Sequence, residues 1–127
     1  MSDETRIALL GATGMIGRQV MEKAVGRRGQ RLIAIARREV PLPPGARMEM
    51  LLSDPDYWPD AIAAARADVA VIALGTTIRA VGGDRDAFRA VDHDLVMTCA
   101  RAAREAGVRH LIAVSSVGAQ RASKSFY

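Results

Sequence analysis

Two kinds of segment alternate along the chain: short apolar runs closed by glycine or a polar cluster, and longer stretches whose apolar residues recur every three or four positions. Residues 6–10 form a run that is apolar after its arginine, which predicts a buried strand. From Met15 to about Val25, Ile16, Val20, Met21 and Ala24 share one helical face, and Gly26 and Gly29 stop the helix. Residues 31–36 predict a second strand. Pro41, Pro43, Pro44 and Gly45 then form a loop that cannot be helical. The first part of 47–52 alternates and suggests a third strand. Asp54-Pro-Asp opens a turn and a short helix that runs to about Arg66. The clearest buried strand is 68–74. A long helix over 84–106 follows, with Phe88, Val91, Leu95, Cys99, Ala102 and Ala106 on its apolar face and Gly107 placed as the C′ residue. Residues 109–114 give a fifth strand, closed by Ser115 and Ser116.

Five strands separated by crossover segments must lie parallel, with right-handed connections. The expected fold class is α/β, a doubly wound parallel sheet of Rossmann type with strand order 3-2-1-4-5. One domain spans 1–127. Its last residues, 118–127, are polar and predict no helix to cover the fifth strand, and a complete dinucleotide domain usually has a sixth strand. The expectation is an incomplete domain whose C-terminal part is missing. The fifth strand would then lie at the sheet edge with Leu111 and Ala113 uncovered, so a homodimer is expected.

Gly11, Ala12, Thr13, Gly14, Met15, Ile16 and Gly17 join the first strand to the first helix. In this position the three glycines have separate jobs. The first permits the turn out of the strand, the second lets backbone approach a pyrophosphate, and the third lets helix pack on sheet. The free N–H groups and dipole of the helix N-terminus then favour the negative charge. A glycine spacing of this kind says little alone; its strand-before, helix-after context makes it informative. No Gly-Lys-Ser/Thr follows, which excludes a P-loop.

The residue ending the second strand chooses between NAD and NADP. Where an NAD site has Asp or Glu for the ribose hydroxyls, this chain has Ala36, Arg37 and Arg38. Two guanidinium groups suit a 2′-phosphate. NADPH is the expected cofactor and NAD the less favoured one; the alternative is that the arginines are solvated surface residues. Asp54, after the third strand, could accept from the adenine amino group or cap the next helix.

Composition narrows the partners. Half the residues are hydrophobic but only 4% are aromatic, so the core must be aliphatic, which suits parallel strands under closely packed helices. No apolar stretch reaches the ~20 residues of a membrane span, and the polar start does not read as a secretory signal. Cys99 is the single cysteine, so no intrachain disulfide can form, and a cytoplasmic location is the default expectation. His93 and His110 have no second ligand at metal spacing, and no metal is expected. The net charge is +4, and Arg27, Arg28, Arg31, Arg37 and Arg38 cluster. No aromatic residues interleave with them, so nucleic acid is not an expected partner.

With these segments in view, the chain resembles the short-chain dehydrogenase/reductase superfamily, and within it the atypical branch that includes the Tat-interacting-protein-like oxidoreductases. The matching segments are the glycine loop, Leu74-Gly-Thr-Thr77, Phe88-Arg-Ala-Val-Asp92, Val114-Ser-Ser-Val-Gly-Ala119 and Ser125-Phe-Tyr127. The resemblance implies that Leu74, Gly75, Thr76 and Thr77 line the cofactor. Ser115 or Ser116 would hydrogen-bond a substrate carbonyl, and Tyr127 would be the catalytic tyrosine. Read from the residues alone, the two serines could equally be polar closers of a strand. The resemblance implies an NADP-dependent oxidoreductase acting on a carbonyl or hydroxyl group of a small molecule whose identity the residues do not define. The alternative is a protein that senses NADPH and regulates a partner without chemistry. The superfamily's lysine, a helical turn past the tyrosine, lies beyond the sequence, so this chain is expected to be inactive on its own.

Overall fold

The computed structural model describes residues 4–75 and 81–115. Its five strands are β1 (Thr5–Leu10), β2 (Gln30–Ala36), β3 (Met48–Leu52), β4 (Val69–Ile72) and β5 (His110–Ala113). They form one sheet in the order β3-β2-β1-β4-β5, and every pairing is parallel. This is the expected Rossmann arrangement. The central strand β1 is flanked on both sides, which is why its apolar run is continuous: Ala8, Leu9 and Leu10 are all fully buried.

Alternation along the strands divides the core into two layers. Ala8 and Leu10 of β1 and Ile33 and Ile35 of β2 face one side, where they meet Ile62, Ala65, Cys99 and Ala103. These come from helices α2 (Trp58–Ala65) and α4 (Val96–Glu105). Leu9, Leu32, Ala34 and Ala36 face the other side and meet Met21 of α1 (Met15–Ala24). Small side chains on β2 and on the helices allow this close approach. Burial pushes the Cys99 thiol up to about 11, so it keeps its proton at neutral pH and packs as a hydrophobe.

Two helical expectations need correction. Ile16 is 49% exposed and does not share the buried face of α1; Met21 is buried as expected, and Gly17 takes the inward position in the first turn. The first turn of the helix runs too close to the glycine loop for a side chain to face the sheet there. The long helix is not uniform either. It consists of α3 (Arg85–Arg89), a π-helical turn (Ala90–Leu95) and α4. Asp84 caps its start, its carboxylate accepting from the N–H groups of Asp86 at 2.9 Å and Ala87 at 3.2 Å. At the far end the Gly107 N–H donates to the Arg104 carbonyl and the Val108 N–H to the Ala103 carbonyl, with Gly107 at φ +82°. This is the glycine-terminated ending expected from the sequence. Ala106 lies at that rim and is exposed, while Ala103 takes a place in the core.

The α2 helix ends less comfortably. Arg66 occupies its C-cap in the left-handed region at φ +49°, ψ +46°, the one non-glycine residue with positive φ among the described residues. Its Cβ crowds the following carbonyl. We predict that Arg66→Gly stabilises the fold by about 0.5–1 kcal/mol, the relief of left-handed strain exceeding the added chain entropy. Urea unfolding measures it, and a destabilised variant would contradict the argument.

Candidate nucleotide-binding site

The glycine loop leaves the C-terminal end of β1 and turns at once into α1. At Gly11, φ is +98°, and a Cβ there would fall inside the Ala73 carbonyl and 3.0 Å from the Leu74 nitrogen. The first glycine is therefore required twice: by its backbone angle and by the end of β4 beside it. At Gly17 a Cβ would collide with the Gly11 carbonyl group and lie 2.9 Å from Ala12 Cα. This close approach seats α1 against the sheet. Gly14 is different. Its φ of −84° is open to any residue, and a Cβ would meet nothing nearer than the Gly11 carbonyl oxygen at 3.5 Å. The protein's own packing does not require glycine there. The Gly14 N–H donates to the Gly11 carbonyl at 3.1 Å, and the Gly14 carbonyl accepts from Arg18 at 3.0 Å, closing the first helical turn. No side chain caps α1, and its first turn holds no acid, so the N-terminal field is left unopposed.

A cleft of about 270 Å³ opens beside this loop, across the ends of β1, β2 and β4. Gly11, Ala12 and Thr13 form one wall; Arg37 and Arg38 stand at the end of β2; Leu74 and Gly75 follow β4. The strand order reverses between β1 and β4, and such a switch point is where open α/β sheets hold ligands. Gly14, Met15, Ile16 and Gly17 carry the chain from this wall into α1 without lining the cleft. Met15, at 79% exposure, is open to solvent. Neither Arg37 nor Arg38 makes an ion pair among the described residues, and no carboxylate lines the cleft.

Asp54 stays outside the cleft. Its carboxylate accepts from the Asp56 N–H at 3.0 Å and caps a short 3-10 turn (Pro55–Tyr57), so of its two expected roles the capping one is seen. Ser115 is exposed and follows β5 at the same end of the sheet. The Val114 N–H donates to the Ile72 carbonyl at 3.0 Å, which keeps this end of β5 alongside β4. Thr76, Thr77, Ser116 and Tyr127 lie outside the described residues.

Sequence reasoning missed part of the cleft wall. Pro55 and Trp58 line it from below β3, and Val91 and Leu95 from the π-helical turn. Trp58 is 5% exposed, and its indole N–H donates to the Ser53 carbonyl at 3.0 Å, which fixes the ring. The signal available was its place one short turn past the end of β3. Tyr57, beside it in the chain, is exposed. Asp92 also approaches: a Cβ on Gly75 would lie 3.8 Å from its Oδ1.

The profile of a family described as NAD(P)H-binding matches residues 11–127. The chain belongs to that family. This NAD(P)H-binding chain is 35% identical over 113 residues to the mitochondrial protein FMP52 of Eremothecium gossypii, an alignment covering 87% of the chain and 49% of the relative. It is 31% identical over 128 residues to the mitochondrial protein fmp52 of Aspergillus niger, covering 95% and 54%. The chain thus spans about half the length of the curated relatives it matches. Among solved structures it is similar to the Bordetella bronchiseptica enzyme WbmG in complex with NAD and UDP, with a TM-score of 0.70 and 20% identity over 87% of the chain and 37% of that protein. At that identity the likeness is one of fold. The NAD(P)H-binding assignment agrees with the glycine loop and sheet order. The expectation of a cytoplasmic location is overturned, because these relatives are named as mitochondrial proteins. That expectation rested on a lone cysteine and an unremarkable start, and neither feature distinguishes one reducing compartment from another.

The glycines make separable predictions. Gly17→Ala should destabilise the fold by at least about 3 kcal/mol, because a backbone carbonyl cannot yield as a side chain can. Gly14→Ala should change stability by less than about 1 kcal/mol, since φ is compatible and the small N-cap penalty is offset. The same Gly14→Ala change should weaken dinucleotide binding. Thermal unfolding and calorimetric titration of both variants check this, and equal effects on stability would contradict it.

Proposed function

We propose that this chain is the NADPH-binding domain of an NADP-dependent oxidoreductase that acts on a carbonyl or hydroxyl group of a small molecule. The observation that carries the reading is the convergence of Arg37 and Arg38 on the cleft that the glycine loop also lines, with no carboxylate lining it among the described residues. The pyrophosphate would lie at the N-terminus of α1, where backbone N–H groups and the helix dipole supply positive potential. The 2′-phosphate would then reach the end of β2. An aspartate or glutamate at that point would repel it; a planar guanidinium can pair with it bidentately. Leu74 and Gly75 would line the path of the dinucleotide toward its reactive ring.

Carbonyl reduction needs hydride from the cofactor, a proton for the oxygen, and stabilisation of the charge that develops on it. The cofactor supplies the hydride. Ser115, at the end of β5, is assigned to hydrogen-bond the substrate oxygen, together with or in place of Ser116. Tyr127 is assigned as the proton donor. A free tyrosine has a pKa near ~10 and is a weak acid at neutral pH, so this role requires a neighbouring cation to lower it.

The test is affinity. Calorimetric or fluorescence titration should show NADPH binding about tenfold or more tightly than NADH, the worth of one or two charge-assisted hydrogen bonds. Arg37→Asp should reverse that order while leaving the fold intact, since Arg37 is exposed. Equal affinities for the two dinucleotides would overturn the NADPH assignment.

A further inference from the structure

The fold divides the arginine cluster that stands out in the sequence. Arg37 and Arg38 go to the cofactor cleft. Arg31 is taken up by Glu49, which accepts from its Nε at 3.0 Å and also lies 3.8 Å from Arg6. Arg27 and Arg28 are left at the opposite end of the parallel strands, in the turn between α1 and β2. There they meet Arg47, which arrives on a different segment, the loop before β3. The three line a groove of about 660 Å³, more than twice the volume of the nucleotide cleft.

We propose that this groove is a second anion-binding site, separate from the dinucleotide cleft, that takes the phosphate groups of a small di- or polyphosphate. Arg27 donates its Nε to the Lys23 carbonyl at 3.1 Å, an anchor that holds the guanidinium at the end of α1 while its terminal nitrogens remain donors. Arg28 and Arg47 form no hydrogen bond or ion pair among the described residues. Among the described residues, Glu4 is the one carboxylate in the lining, and it has an interaction of its own. Three guanidinium groups thus share a concave surface with one acid among the described residues. In a concave site their fields add, and solvent screens them less than on a convex surface. Guanidinium forks from two segments can approach one phosphate group from two sides, which a single basic helix face cannot do. The floor is apolar, made by Ala24, Leu32 and Met48, so the groove can also seat an organic portion attached to the phosphates. Gly26 and Gly29 face open space, and the groove is not filled by its own walls.

Titration of the isotope-labelled chain with inorganic pyrophosphate, followed through backbone amide shifts, tests the proposal. The amides of residues 26–29 and 45–47 should respond as one saturable group, apart from any response at residues 11–17. The double variant Arg28→Gln, Arg47→Gln should weaken the response at the groove by about tenfold or more and leave that at the glycine loop unchanged. The paired variant Arg28→Lys, Arg47→Lys should keep part of it, which separates loss of charge from loss of fold. A second titration with ADP, in saturating NADPH, assigns the source: tighter binding than pyrophosphate at the groove indicates an organic phosphate, and equal binding an inorganic one. Shifts confined to residues 11–17, or a groove response indifferent to the glutamine changes, would overturn the site.

Discussion

Everything in this domain depends on how closely the start of α1 sits on the end of β1. Gly17 lies against the Gly11 carbonyl with no room for a methyl group, and Gly11 in turn lies against the end of β4. The two contacts fix three elements at one point. They set the height of α1 over the sheet, and so the depth of the layer in which Met21 meets Leu9, Leu32 and Ala34. They also fix the direction in which the helix N-terminus presents its free N–H groups. The contacts that make the fold compact are thus those that prepare it for an anion. At Gly14, between them, the packing itself would tolerate a side chain.

The opposite layer is built on different terms. Here α2 and α4 lie over β1, β2 and β4, and their contact is made largely of alanine, with Cys99 and Ile62 filling the larger spaces. Small residues allow a close approach but leave little to spare. The π-helical turn at Ala90–Leu95 falls where this helical run passes the cleft, and two of its residues, Val91 and Leu95, line the cleft wall. Departures of this kind from α-helical geometry are frequent at functional sites. On the far side of the same cleft, Trp58 is held by its hydrogen bond to the Ser53 carbonyl, so the end of β3 and the cleft floor are linked by one rigid side chain.

Charge is distributed by the sheet rather than by the sequence. Five arginines within a dozen residues look like one basic patch when read along the chain. Because β2 runs through the middle of that stretch, the arginines before and after it lie at opposite ends of the parallel strands. One pair of arginines reaches the cleft beside the glycine loop, another pair reaches the groove at the strand starts, and Arg31 is held by Glu49.

By itself the sequence determined the strands and helices, the parallel order of the strands and the glycine loop between β1 and α1. Each of these follows from local patterning: apolar runs for strands buried on both faces, helical spacing for α1 and α4, glycines wherever backbone must turn or come close. Only the tertiary structure decided which residues meet at the cleft. Pro55, Trp58, Val91 and Leu95 come from segments far apart in the chain, and no periodicity announces that their edges face one cavity. It decided too that Ile16 is exposed where helical spacing buries it: the side of α1 that meets the sheet runs through Gly17 and Met21. It resolved Asp54 toward capping, since a carboxylate takes the nearest free N–H, and which N–H is nearest depends on how the chain leaves β3. Patterns of two and three-and-a-half residues are properties of one segment; a site is a property of several, and its geometry exists only once the sheet has brought them together.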